Sequence, residues 1–148
     1  MRLTTRSAVL AGTILLSLGG SVATGAADPA AVPTCAGLPA TIVVAAPGMV
    51  TFGDPGGVPA DDVIVGTPGE DDIRGLAGDD VICGLDGDDR LGGGDGDDHV
   101  FGQGGDDDMA GGDGLDVLTG GPHVEGDRGN GGPGFDACPT TEIRISCP

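Results

Sequence analysis

Gly93-Gly94-Asp95-Gly96-Asp97-Asp98-His99-Val100-Phe101 decides how this chain folds, because the same nine-residue pattern flanks it on both sides. From Gly66 the sequence divides into consecutive nines without a gap: 66–74, 75–83, 84–92, 93–101, 102–110 and 111–119. Every unit begins with Gly. The fourth position is always Gly (Gly69, Gly78, Gly87, Gly96, Gly105, Gly114) and the sixth is always Asp (Asp71, Asp80, Asp89, Asp98, Asp107, Asp116). The eighth is always apolar: Ile73, Ile82, Leu91, Val100, Met109 and Leu118. Four positions held through six units mark a repeat architecture. At the edges the pattern wears. Unit 57–65 keeps Asp62 and Ile64 but has Ala60 at the fourth position, and 120–128 reads His123 at the fourth and Glu125 at the sixth. The phase then slips by two, and Gly131-Gly132-Pro133-Gly134-Phe135-Asp136 restores the pattern. Worn terminal units are expected where a solenoid is capped.

The period predicts a turn and a short strand in each unit. Glycines three apart free the backbone for positive φ, so the first six residues can turn tightly. The last three place one apolar side chain between two others, as a short strand does. A helix is a poor fit, since glycine at two of every nine positions costs about 1 kcal/mol each relative to Ala. Stacked units give a coil with the eighth positions inside and acidic turns along its flanks. A solvated acidic tail would have no use for an apolar residue at every eighth position. Met109 reads as core. His99, at a seventh position, reads as surface, and His123 as the mark of a broken turn rather than a catalytic base.

Composition narrows the function. The 148 residues include 32 glycines, and 24 acidic residues face 6 basic ones, a formal charge of −18. There is no Trp or Tyr and only three Phe, which excludes an aromatic-anchored core and a base-stacking surface. The charge argues against nucleic acid as a partner, because phosphate binding needs clustered Lys and Arg. A chain so charged repels itself when compact, and metal cations are the natural neutralisers. Calcium suits the repeats: it takes six to eight oxygen ligands in flexible geometry, whereas magnesium demands a tight octahedron and zinc wants His or Cys.

The pattern Gly-Gly-x-Gly-x-Asp-x-U-x, with U apolar, resembles the hemolysin-type or RTX calcium-binding repeat, and 93–101 matches it at every defined position. The resemblance covers 57–139, and the stretch from Gly131 to Cys138 resembles the closing segment of small secreted actinobacterial members. It implies an all-β fold, a parallel β-roll in which two nonapeptides make one coil, with short caps at both ends. It also implies calcium between turns two units apart, held by the carboxylates of Asp71, Asp80, Asp89, Asp98, Asp107 and Asp116. The turn backbone at Gly69, Gly78, Gly87, Gly96, Gly105 and Gly114 would add carbonyl oxygens, and Asp62 and Asp136 are edge positions. Six clean units make four calcium sites, to which the worn units add one or two. The fifth-position acids Glu70, Asp79, Asp88, Asp97 and Asp106 read as supplementary charge rather than primary ligands.

Residues 1–27 read as a secretory signal peptide: Arg2 and Arg6, an apolar stretch too short for a membrane span, then Ala23-Thr24-Gly25-Ala26-Ala27. Segment 28–56 reads as an N-terminal cap and loop, with Thr41-Ile42-Val43-Val44 as an entry strand and 45–56 as the loop. Segment 140–148 reads as a cap tail with Ile143-Arg144-Ile145 as a final strand. Export puts Cys35, Cys83, Cys138 and Cys147 in an oxidising compartment. Three pairings are open. Cys35–Cys83 with Cys138–Cys147 is favoured, because the second pair closes a short terminal loop. Cys83, at an outward ninth position, can reach a partner Cys or stand as a free thiol.

The chain has no His-Glu-x-x-His and no Gly-x-Ser-x-Gly, and Ser146 is the one serine beyond the expected signal. No catalytic role is expected. The expected function is that of a secreted calcium-binding β-roll at or outside the cell surface, structural or docking an extracellular partner when calcium is present. The alternative is an accessory or remnant module of an RTX-type secreted enzyme or toxin.

Overall fold

The computed structural model describes residues 32–123 and 125–147; the expected signal peptide lies outside them. All regular structure among the described residues is β. The strands are β1 (Thr34–Cys35), β2 (Leu38–Pro39), β3 (Ile42–Val43), β4 (Val50–Phe52), β5 (Val63–Val65), β6 (Asp72–Ala77), β7 (Val81–Asp86), β8 (Arg90–Asp95), β9 (His99–Gly104), β10 (Asp108–Asp113), β11 (Val117–Thr119), β12 (Arg128–Asn130) and β13 (Ile143–Ile145). From β3 to β12 successive strands alternate between two parallel sheets, ordered β13-β12-β10-β8-β6-β4 and β11-β9-β7-β5-β3; β13 lies beside β12, and β1 and β2 form a separate antiparallel pair. The fold is therefore a parallel β-solenoid with two nonapeptides per coil. Its rungs repeat every 18 residues in the middle, and hydrogen-bond partners lie 22 apart in the first coil and 20 apart near the last.

The division of each unit into turn and strand differs from the one the glycine spacing suggests. Strands β6 to β10 run from the seventh position of one unit through the third of the next, so that only positions four to six turn. Coils of equal length stack in register, and the second and third positions pair as well as the last three: Leu76 with Gly94, Ala77 with Asp95. The left-handed residues are at the second position (Leu76, Leu85, Gly94, Gln103, Gly112) and the fourth (Gly78, Gly87, Gly96, Gly105, Gly114). The first-position glycines are needed for another reason, given below. A strand also lies inside the stretch read as a loop: β4 pairs in parallel with β6, extending the six-stranded sheet by one rung.

The eighth positions fill the interior. Ile64, Ile73, Ile82, Leu91, Val100, Met109 and Leu118 form one cluster with Val44 and Cys138, and none of them reaches solvent appreciably. In the coil that carries the slip, Gly129 pairs with Met109 and offers no side chain. Buried Thr141 packs against it, its Cγ2 3.1 Å from where a Cβ would stand.

Cys83 faces outward, as its position predicts, yet it is buried. The β1–β2 hairpin covers the outer face of the five-stranded sheet, where Cys35, Val65 and Cys83 make a second small core flanked by Val63, Val81, Leu85 and Phe101. The disulfides are Cys35–Cys83 and Cys138–Cys147, with Cα atoms 5.7 and 5.9 Å apart. The first ties the hairpin to the roll, and the second ties the last core rung to the segment just after β13.

Two substitutions in the calcium-loaded protein separate these roles. Leu91→Ala empties a core position and should cost about 2–5 kcal/mol. Gln103→Gly relieves a left-handed non-glycine residue at φ 76° and should leave stability unchanged or raise it by up to about 1 kcal/mol. Thermal unfolding of both variants checks this; a Gln103→Gly protein that melts well below the parent contradicts it.

Candidate metal centre

The sixth-position aspartates meet along the two flanks of the roll, two units apart. On one flank Asp62 N–H donates to Asp80 Oδ1, Asp80 N–H to Asp98 Oδ1, and Asp98 N–H to Asp116 Oδ1, at 2.8–2.9 Å, and Asp116 N–H donates to Asp136 Oδ1 at 3.1 Å. On the other, Asp71 N–H donates to Asp89 Oδ1, Asp89 N–H to Asp107 Oδ1 and Asp107 N–H to Asp127 Oδ1, at 2.8–3.0 Å. All nine carboxylates are buried. Each turn thus holds the carboxylate of the next one by a single oxygen.

The other oxygen divides the nine into two groups. At three of the four column ends it is satisfied by the protein, Asp136 being the exception. Asp62 Oδ2 accepts from Asp54 N–H, Asp71 Oδ2 from Thr67 N–H, and Asp127 Oδ2 from Gly121 N–H. In Asp80, Asp89, Asp98, Asp107, Asp116 and Asp136, Oδ2 is buried with no hydrogen-bond partner. Burying an anionic oxygen without a donor is costly, and proteins satisfy such groups with a partner, a proton or a metal ion. Here the first-position glycines matter: a Cβ on Gly75, Gly84, Gly93, Gly102 or Gly111 would overlap the Oδ2 of the same unit's aspartate. The glycine keeps open the space into which that oxygen points. Six buried carboxylate oxygens left open in this way, on turns of bare backbone, suit a hard divalent cation.

The fifth-position acids have a structural use that their spacing did not reveal. Asp61 Oδ1 accepts from Asp79 N–H, Asp79 Oδ1 from Asp97 N–H, and Asp97 Oδ1 from Leu115 N–H, at 2.9–3.0 Å. On the other flank Asp88 Oδ1 accepts from Asp106 N–H. These exposed bonds run opposite to the sixth-position ones, so a turn is tied to its neighbour in both directions.

Asp127 escaped the sequence reading, which put Glu125 at the sixth position. The two extra residues lie within that turn, ahead of Asp127. Counting back four residues from Gly131, the start of the next unit, would have found it. His99 is at the surface with its ring 6.5 Å from that of Phe101, as its seventh position implies.

Burial raises the carboxyls of Asp89 and Asp98 to about 7 and those of Asp80 and Asp107 to about 6. The backbone N–H on each opposes the shift, and neighbouring carboxylates add to it. Asp116 moves the same way for the same reason. Proton and cation therefore compete for one set of oxygens.

The family model of the RTX calcium-binding nonapeptide repeat, four copies long, matches residues 56–91 and again 84–118. The array consists of RTX calcium-binding repeats. No curated protein and no solved structure matches the chain. RTX repeats bind calcium, and they form a structural domain rather than a catalytic one. Among the described residues no helix is long and apolar enough to cross a membrane.

The raised carboxyls fix the pH dependence of the metal-free repeats. The folded form keeps protons that the unfolded chain releases near pH 4. Their contribution to stability is complete below about pH 4 and is lost as the pH rises through about 6–7. Circular dichroism of the chelated protein should show more β-structure at pH 5 than at pH 8; identical spectra contradict this.

Proposed function

We propose that this is a secreted calcium-binding protein whose repeats order into the β-roll as calcium binds, serving as a structural module or as a surface that docks an extracellular or cell-surface partner when calcium is present. The observation that carries the reading is the set of six buried, unpartnered Oδ2 atoms in two columns. Asp80, Asp98, Asp116 and Asp136 would hold calcium on one flank, and Asp89 and Asp107 on the other. The turn carbonyls at Gly69, Gly78, Gly87, Gly96, Gly105 and Gly114 would complete the oxygen shell. Asp62 and Asp71 contribute less, since protein donors already occupy both oxygens of each: Thr41 Oγ1 and Asp54 N–H on Asp62, Thr67 Oγ1 and N–H on Asp71. Bound calcium supplies the positive charge that the turns lack. Two disulfides in one small fold support an oxidising, extracellular setting, in keeping with a signal peptide over residues 1–27.

Isothermal titration with calcium tests this. At least four sites should bind, in the range of about 0.1–1 mM typical of extracellular modules. Asp98→Asn and Asp89→Asn should each weaken binding about tenfold or more, by removing a charged ligand. Asp62→Asn should change it less than about twofold, because its carboxylate is already satisfied. Equal losses for all three variants, or no uptake of calcium, would contradict the assignment.

A further inference from the structure

The second flank ends differently from the rest. In the inner rungs, the backbone N–H of one aspartate is held by the carboxylate of the next. After Asp127 no further repeat follows on this flank, and Glu142, from the turn before β13, takes that place: Asp127 N–H donates to Glu142 Oε2 at 2.9 Å. Its second oxygen, Oε1, lies on a side chain that is 42% exposed, unlike the buried Oδ2 atoms of the inner rungs. It faces a nitrogen, His123 Nε2, at 3.4 Å. The other ring nitrogen, Nδ1, lies 3.0 Å from the carbonyl oxygen of Gly121 and 3.6 Å from Asp127 Oδ2. A carbonyl oxygen can only accept, so Nδ1 carries a proton, and Nε2 is the ring nitrogen left to face the Glu142 carboxylate.

We propose that His123, Asp127 and Glu142 form a zinc site at the end of this flank, chemically distinct from the calcium sites of the repeats. One ligand atom from each of the three lies within 4.8 Å of the others. Zinc is bound by nitrogen and carboxylate oxygen at about 2.0–2.2 Å, which puts tetrahedral ligands about 3.3–3.5 Å apart, and the Nε2 to Oε1 distance already meets that. The Nδ1–H to carbonyl bond is the outer contact that fixes the tautomer and orientation of a metal-bound histidine. A donor set containing an imidazole favours zinc over calcium, which wants an all-oxygen shell. Three protein ligands leave a fourth position for water. The two residues inserted into this turn bring His123 to the flank, where the regular repeat has no side chain of that kind.

The test uses the full protein saturated with calcium at pH 7.5 and titrated with zinc chloride. One zinc should bind without releasing calcium, and its X-ray absorption spectrum should show nitrogen and oxygen ligands with an imidazole signature. His123→Gln and, independently, the exposed-site change Glu142→Gln should each weaken zinc binding at least tenfold while calcium stoichiometry stays the same. His99→Gln should bind zinc like the parent. Absence of zinc binding, zinc uptake that His123→Gln leaves intact, or zinc that enters only by displacing calcium would each overturn the proposal. In the first case His123 acts as a protonated cap on Glu142 and nothing more.

Discussion

Six carboxylate oxygens, buried on turns that offer them no donor, are the constraint around which the rest of this structure is arranged. Each belongs to an aspartate whose other oxygen already holds the next turn in place, so the group cannot swing out to water without releasing a rung. The charge must be met where it is. A proton can do so, which is why these carboxyls titrate well above the usual range. A divalent cation can do so at neutral pH, and RTX repeats bind calcium. The narrow interior cannot carry the structure by itself, since each nonapeptide sends one apolar side chain into the core.

Three of the four column ends show the same constraint solved without metal, and Asp136 does not. Thr67 and Asp54 supply backbone N–H groups to Asp71 and Asp62, and Thr41 adds its hydroxyl to Asp62 Oδ1 at 2.8 Å. At the far end Gly121 serves Asp127. The caps are therefore more than lids over apolar residues: at the N-terminal end of both columns they supply the donors that the repeats lack. The disulfides anchor the same terminal segments, one through a small outer core and one through the last inner rung.

Much of this was legible in the sequence because a strict period leaves little freedom. Asp at every sixth position and an aliphatic residue at every eighth fix which side chains meet, and the structure gathers those residues as the spacing says. The paired cysteines and the closing strand at Ile143–Ile145 also read correctly. What the pattern hid was backbone detail. Glycine at the first position looked like a turn former. It is in fact the space for a carboxylate oxygen, a fact set by the neighbouring side chain and not by φ. The strand β4 lacks the motif, since the first coil runs to 22 residues between paired positions and borrows its register from β6. The shift from Glu125 to Asp127 arose because an insertion moves every later position. Glu142 was invisible for a deeper reason: it joins the column from outside the repeat, brought there only by folding.

Small-angle scattering of the purified protein at pH 8, with excess chelator and then with millimolar calcium, tests the dependence of the fold on cations most directly. At that pH the buried carboxylates have no protons to neutralise them. A radius of gyration of about 30–35 Å in chelator that falls below about 20 Å on adding calcium is the predicted result. An equally compact protein in both conditions would contradict the account.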